Sequence, residues 1–197
     1  GEEQENTARK FSPEGGIHLL YVGNIAPPIY DLRGYFAAGA EEEKVRLKVI
    51  TRERALKLHG ALYEFKDGDG PQVLHAQGQE LQQHYQEADI ALCVWEGVEY
   101  HRFVMPVKVY ESIAHGVPLI VSSSAEVLAR FVEREKIGWV VQNVDEFTML
   151  LRRLAEHPGE IVERRQAVEG IRHLHTWDQR AREVVKALRG AGPAAHT

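Results

Sequence analysis

The sequence contains a single cysteine, and this scarcity excludes an internal disulfide bond. A chain without disulfides is typical of a reducing compartment, which predicts a cytoplasmic protein. The one thiol, Cys93, lies in an apolar run at residues 90–95. We therefore interpret Cys93 as a buried core thiol rather than as a nucleophile.

Long hydrophobic runs and an excess of positive charge are also absent. No apolar stretch approaches the roughly 20 residues that a membrane-spanning helix needs, and no secretory signal is visible. The formal net charge of −5, from 29 acidic and 24 basic residues, argues against nucleic acid as a partner. The first residue is glycine rather than methionine, which predicts a fragment or processed product whose natural N-terminal part is missing.

Several motifs of the commoner α/β proteins are missing. The turn at residues 23–28 lacks the three glycines of a dinucleotide-binding turn, and Thr51 stands where an acidic residue would close the second strand. The sequence has no P-loop, no receiver-type acidic cluster after its first strand, no Cys/His set with zinc spacing and no G-x-S-x-G elbow. We therefore set these protein classes aside and expect neither a bound metal nor a cofactor.

Strand and helix patterns alternate between two polar ends. Residues 1–15 predict a flexible tail or linker and residues 190–197 a disordered tail, which leaves one domain at residues 16–189. The predicted strands are 17–23, 45–51, 72–76, 90–95, 118–121 and 138–142. The predicted helices are 28–39, 52–60, 80–87, 106–115, 125–136, 145–156 (N-cap Asp145), 158–174 and 176–189. The pattern predicts an α/β fold, a Rossmann-like three-layer α/β/α sandwich with a mainly parallel sheet of about six strands and a helical C-terminus.

Ligands of such sheets bind where strands end, at their carboxyl edge. The segments predicted to lie there are 23–24, 51–52, 75–79, 96–108 and 122–124.

The segment at residues 106–122 is the most informative. Pro106 opens a helix, Gly116 closes it, and a buried strand follows at once. Lys108 and Glu111 are three residues apart and share one helix face near the N-terminus. A lysine and a carboxylate at such a helix mouth are typical of a site for a phosphorylated sugar or a nucleotide. Taken alone, the two residues could equally form a surface ion pair.

This Pro-x-Lys-x-x-Glu block occurs with Tyr-Val-Gly-Asn at residues 21–24, Ala-Asp-Ile-Ala-Leu at 88–92 and His-Thr-Trp at 175–177. Together they resemble the C-terminal half of GT-B-fold glycosyltransferases, in the retaining group-1-like family, over about residues 16–189. The resemblance implies that this domain binds a nucleotide-sugar donor, a UDP-sugar or alternatively a GDP-sugar, for polysaccharide or glycolipid synthesis. It also implies a separate N-terminal acceptor-binding domain, absent here, which would bring the full-length protein into peripheral contact with a membrane.

The resemblance further implies roles for individual residues. Glu111 would accept hydrogen bonds from the ribose hydroxyls, and Lys108 would lie near the diphosphate or the nucleoside. Gly23 and Asn24 would let the backbone approach the phosphates, and residues 75–79 would hold the base. The candidate catalytic residues are Lys108, Glu111 and His101. The candidate donor-binding residues are Gly23, Asn24, Arg52, His75, Gln79, Phe103, Pro106, Lys108, Tyr110 and Glu111.

The sequence departs from the family pattern at two points. Phe103 stands eight positions before Glu111, where many members carry a first glutamate, and no Lys-Gly pair follows the first strand. These departures indicate a divergent branch in which Arg33 or Arg52 supplies the missing charge.

Three functions remain open at this point. The first is the donor-binding half of a glycosyltransferase, which we expect to be nearly inactive alone because the active cleft of this fold forms between two domains. The second is a catalytically degenerate interaction module. The third is a sugar-nucleotide epimerase, which the lack of a clear second acid disfavours.

Overall fold

The computed structural model describes residues 15–63, 71–95 and 99–175, with only the backbone of Glu99 and Tyr100. Its strands are β1 (Ile17–Val22), β2 (Val45–Ile50), β3 (Gln72–Leu74), β4 (Ile90–Cys93), β5 (Leu119–Ser122) and β6 (Gly138–Val141). They form one sheet in the order β3-β2-β1-β4-β5-β6, and every neighbouring pair is parallel. The strand order reverses between β1 and β4, which is the point where open parallel sheets bind ligands.

Seven helices connect and follow these strands in the described part of the chain. They are α1 (Arg33–Glu41), α2 (Glu53–His59), α3 (Gly78–Glu87), α4 (Val107–Ala114), α5 (Glu126–Glu135), α6 (Val144–Glu156) and α7 (Gly159–Arg172). Short 3-10 turns occupy Gly60–Tyr63, Glu99–Phe103 and His173–His175. None of the described helices combines the length and the apolar character needed to cross a bilayer. The predicted helix at 176–189 and both predicted tails lie outside the described residues, apart from Gly15.

Two hydrophobic cores cover the two faces of the sheet. Leu19 and Tyr21 of β1 belong to the core that includes side chains of α1 and α6. Leu20, between them, belongs to the core that includes side chains of α3, α4, α5 and α7. This alternation is expected of a central strand buried on both sides. The predicted three-layer fold is confirmed.

The start of α1 was predicted wrongly. Residues 27–30 form a turn, and the helix begins at Arg33 rather than at residue 28. The backbone N–H of Arg33 donates to Asp31 Oδ1 over 3.1 Å, so this carboxylate satisfies one of the free N–H groups at the helix start.

The N-cap of α6 was also predicted two residues too late. Asn143, not Asp145, caps the helix: its side chain accepts a hydrogen bond from Glu146 N over 2.9 Å. Glu146 Oε2 in turn accepts from Gln142 N over 2.8 Å. This reciprocal arrangement is close to a capping box, whose Asn-x-x-Glu spacing is visible in the sequence.

A buried carboxylate lies at the amino ends of β1 and β4, the two strands between which the strand order reverses. Asp89, which immediately precedes β4, is fully buried and accepts a hydrogen bond from His18 N of β1 over 2.9 Å. Arg165 of α7 lies 3.4 Å from the other carboxylate oxygen. These contacts tie β1, β4 and α7 together at the edge of the sheet opposite to the strands' carboxyl ends.

Cys93 at the end of β4 is buried in the second core, as predicted. Desolvation raises the pKa of its thiol to about 11. We expect the native protein to resist a disulfide reagent at neutral pH, because little thiolate forms and the sulfur is covered. The measurement is release of the reagent's thiolate chromophore with and without denaturant. Fast stoichiometric reaction of the native chain would contradict the buried assignment.

Candidate functional site

An open cleft of about 720 Å³ lies at the carboxyl edge of β1, β2 and β3. We call it the strand-edge cleft. Segments that follow the three strands line it, together with α2 and Leu81 of α3. Four of the predicted donor-binding residues meet there, namely Gly23, Asn24, Arg52 and His75. The cleft thus brings together segments that are separated by about 50 positions in the sequence.

Two arginines give the strand-edge cleft a positive wall. Arg52 precedes α2, Arg54 lies in its first turn, and neither forms an ion pair with any described residue. Arg33 differs, because its guanidinium forms a salt bridge of 2.6 Å with Asp31 and lies outside this cleft. The same pairing lowers the pKa of the Asp31 carboxyl. Of the two arginines considered from the sequence, only Arg52 lines the strand-edge cleft, and it has no carboxylate partner in the part of the chain that the structure describes.

His75 has a fixed tautomer. Its Nδ1 lies 2.9 Å from the carbonyl oxygen of Thr51. A carbonyl oxygen can only accept a hydrogen bond, so Nδ1 carries the proton. In the tautomer with its proton on Nδ1, Nε2 is the nitrogen that can accept a hydrogen bond. His75 lines the cleft and links the ends of β2 and β3. Its Nδ1 is engaged with Thr51, which leaves Nε2 for a ligand.

The turn after β1 is shaped by its own residues. Asn24 Oδ1 accepts hydrogen bonds from Ile25 N over 2.9 Å and from Ala26 N over 3.2 Å. The hydroxyl of Tyr21 donates to the carbonyl of Asn24 over 2.8 Å. A Cβ atom on Gly23 would lie 2.9 Å from that hydroxyl, so glycine is needed for the close approach of Tyr21. Gly23 and Asn24, which were both predicted to lie at the site, therefore fix the conformation of the turn at the cleft.

Lys108 lies in the first turn of α4 and reaches the switch point between β1 and β4. Its Nζ is 4.2 Å from the ring centroid of Tyr21 and 5.5 Å from that of Trp95. No described carboxylate pairs with it, and it does not pair with Glu111. Desolvation lowers the pKa of the Lys108 ammonium below its ordinary value. The result is a cation held by aromatic faces, with its charge not neutralised by a described carboxylate.

Glu111 contacts a different element. Its Oε2 accepts a hydrogen bond from the hydroxyl of Tyr85, in α3, over 3.1 Å. Glu111 is half-buried, whereas Tyr85 is almost completely buried. The interpretation of Lys108 and Glu111 as a surface ion pair is therefore wrong: each side chain has its own separate environment.

The other predicted residues occupy varied places. His101 is buried between Tyr30 and Trp95, with ring centroids at 5.5 and 4.9 Å, and burial and nearby Lys108 lower its pKa. Phe103 is 68% exposed. Outside the strand-edge cleft lie Gln79, in the exposed first turn of α3, Pro106, which is the cap residue of α4, and Tyr110, whose ring faces His175.

Sequence reasoning missed four residues that shape this edge of the sheet. Arg54 lines the cleft, Tyr21 and Trp95 hold Lys108, and Tyr85 binds Glu111. The only sequence signal was position: Tyr21 and Trp95 lie at or just beyond the carboxyl ends of buried strands. Tyr85 had no such signal, because it lies in the last turn of a helix rather than at the end of a strand.

The arrangement suits an anion with polar substituents. Three cations have no carboxylate partner among the described residues. Arg52 and Arg54 line the strand-edge cleft, whereas Lys108 lies outside it in the first turn of α4. The N-terminus of α4 adds backbone N–H groups and a positive dipole end. Within the described ranges, no group of three or more His, Cys, Asp or Glu side chains could hold a metal ion.

Comparison with known proteins gives a family match. A family model described as glycosyl transferase-like matches residues 43–186, about three quarters of the chain. No curated protein matches.

Solved structures share the fold at low sequence identity. A sucrose-phosphate synthase from Thermosynechococcus elongatus is 18% identical with a TM-score of 0.64, over 92% of this chain and 47% of that chain. A trehalose-6-phosphate protein from E. coli, bound with UDP-2-fluoro glucose, is 13% identical with a TM-score of 0.62, over 92% and 46%. The C-terminal domain of a group 1 glycosyl transferase, LpcC of Francisella tularensis, is 13% identical with a TM-score of 0.58, over 79% and 83%. The chain thus spans about half the length of the first two.

Proposed function

Because the chain belongs to the glycosyl transferase-like family, we propose that it is the donor-binding half of a glycosyltransferase with a nucleoside-diphosphate sugar as donor. The observation that carries this proposal is the set of three cations at the carboxyl edge of the sheet, which have no carboxylate partner among the described residues. A diphosphate is the anion that such a set fits. We propose UDP-sugar as the donor class, with GDP-sugar as the alternative, and polysaccharide or glycolipid synthesis as the setting. The neighbour bound with UDP-2-fluoro glucose supports the choice of UDP.

The proposed roles are those that the family resemblance implies, assigned to the residues as the structure arranges them. Lys108 and the N-terminus of α4 bind the diphosphate, and Glu111 accepts hydrogen bonds from the ribose. Arg52 adds charge beside the phosphates, and His75 contacts the base through Nε2. When the bond from the sugar to the diphosphate breaks, negative charge grows on the departing oxygen. Cations and backbone N–H groups already in place stabilise that charge without reorganisation.

The acceptor belongs to a second domain in this proposal. The similarity to a separately solved C-terminal domain, and the coverage of about half of longer neighbours, support a two-domain enzyme. The same proposal includes transfer with retention, membership of the divergent Pro-x-Lys-x-x-Glu branch and inactivity of the isolated chain. A peripheral membrane contact through the acceptor domain also belongs to it.

Calorimetric titration with UDP and with GDP tests the donor site. We expect one of them to bind below millimolar concentration and uridine or guanosine alone to bind more weakly. Arg52→Gln should weaken binding of the diphosphate about threefold to tenfold, as expected for loss of one hydrogen bond at a solvent-exposed site. The matched control is Arg33→Gln, whose charge is committed to Asp31 outside the cleft. No binding of UDP or GDP up to millimolar concentration would reject the proposed function.

The interaction module remains the second candidate, and one observation favours it. Phe103 and Val107 expose apolar side chains, 68% and 55% respectively, at the amino end of α4. A module that has lost the donor site would bind neither nucleotide, so the same titration separates the two functions.

A further inference from the structure

A buried tyrosine holds the carboxylate that is proposed to bind ribose. The hydroxyl of Tyr85 donates to Glu111 Oε2 over 3.1 Å. Glu111 Oε1 accepts no hydrogen bond from any described residue. We propose that Tyr85 is a positioning residue, which fixes the rotamer of Glu111 and presents Oε1 to the ribose hydroxyls. This inference rests on the proposed donor-binding function.

Tyr85 is suited to this role because it cannot move easily. Its side chain is 2% exposed and belongs to the second core. Its ring stacks on that of His115, with centroids 4.9 Å apart and an interplanar angle of 16°. His115 Nδ1 lies 2.8 Å from the backbone carbonyl oxygen of Glu111, to which it can only donate. Tyr85 therefore contacts the side chain of Glu111, and His115, which stacks on Tyr85, contacts the backbone carbonyl of Glu111.

The position of Tyr85 also links Glu111 to the strand-edge cleft. Leu81 lies four residues earlier in α3, so it shares a helix face with Tyr85. Leu81 lines the cleft, and Tyr85 meets Glu111 one helical turn further on. Glu111 is thus connected through α3 to the surface where the base and ribose are proposed to lie.

The contact has a consequence for specificity. A carboxylate on a flexible side chain loses rotamer entropy when it binds a hydroxyl, whereas a carboxylate already held by Tyr85 loses less. Removing the tyrosine hydroxyl should therefore weaken binding only for ligands whose ribose hydroxyls use Glu111. It should not change binding of the base or of the diphosphate.

The test compares wild type with Tyr85→Phe, which keeps the ring and its stacking on His115. The probes are UDP and 2′,3′-dideoxyuridine diphosphate, or the corresponding guanosine pair if GDP is the tighter ligand. We expect Tyr85→Phe to weaken ribonucleotide binding about fivefold to tenfold, in line with the entropy cost of fixing one long side chain. Binding of the dideoxynucleotide should change less than twofold.

Three controls make the outcome decisive. Tyr35→Phe removes a hydroxyl from a buried ring on the opposite face of the sheet and should leave both affinities unchanged. Glu111→Ala should abolish the effect of Tyr85→Phe in the double variant, because no side-chain oxygen is then left for the hydroxyl to position. Thermal unfolding checks that each variant is folded.

The outcomes separate the two proposals. Suppose that wild type binds the ribonucleotide. If Tyr85→Phe lowers the affinity for both nucleotides equally, or changes neither affinity, the positioning role is overturned and the donor site stands. If wild type binds neither UDP nor GDP, the proposed function fails and the positioning role fails with it.

Discussion

Replacing Gly138 with alanine is expected to destabilise the protein by more than about 4 kcal/mol, since it creates a backbone clash inside the sheet. A Cβ atom at this position would lie 2.0 Å from the carbonyl oxygen of Leu119, its partner in the parallel pair of β5 and β6. That oxygen cannot rotate away, because it belongs to the backbone of a strand that β4 pairs from the other side. Thermal unfolding should show a fall in Tm of about 10 °C or more, by the usual scaling for this chain length.

Gly170→Ala is the matched control for this substitution. Gly170 lies within α7, and no other heavy atom outside its own helix lies within 4 Å of a Cβ at that position. Alanine loses less backbone entropy than glycine in a helix, so stability should rise by about 0.5–1 kcal/mol. The same chemical change is thus expected to act in opposite directions at the two sites. A drop in Tm for both variants, or for neither, would contradict the packing of β6 against β5.

Lys108→Met is expected to weaken UDP or GDP binding about a hundredfold and to leave uridine or guanosine binding nearly unchanged. The loss corresponds to roughly 3 kcal/mol, typical of removing one partner from a charge pair that is largely shielded from water. Methionine keeps the length of the side chain and can pack against the rings of Tyr21 and Trp95. Isothermal titration measures both ligands. An equal loss for nucleotide and nucleoside would show that the lysine acts on the base or ribose rather than on the diphosphate.

The same variant should gain stability when no ligand is bound. The folded protein lowers the pKa of Lys108 below its ordinary value of 10.5, so the unfolded chain holds that proton more tightly. Stability of the wild type therefore rises with pH between the lowered pKa and 10.5. We expect Lys108→Met to unfold at a higher denaturant concentration than wild type at neutral pH, and the difference to shrink as the pH approaches 10.5. A difference that grows with pH would contradict the desolvated ammonium.

Most of the fold could be predicted from the sequence because its signals are local. Alternating buried strands and amphipathic helices indicated the parallel sheet, and Gly116, which has a φ of +69°, marked the end of α4 correctly. The errors fell at helix starts, where one side chain decides the boundary. Asp31 for α1 and Asn143 for α6 are such residues.

The candidate site was only partly predictable because its contacts cross between elements. The motif pointed to Lys108 and Glu111 but not to their partners, which come from β1, the end of β4 and α3. Helical spacing suggested that the two residues face the same way, whereas they contact separate partners. Only the packing of α4 against the sheet and α3 could decide this.

Helix α2 forms one wall of the strand-edge cleft but has few buried contacts with the rest of the domain. None of its seven residues is buried, yet Arg54, Ala55, Leu58 and His59 line the strand-edge cleft, and Leu58 is 65% exposed. A helix held by so few buried contacts opens at a lower free energy than the core, so we expect one wall of the cleft to be intact for only part of the time. The measured affinity is the intrinsic affinity reduced by that fraction. Strengthening α2 on its outer surface would then tighten nucleotide binding without altering any residue that touches the ligand.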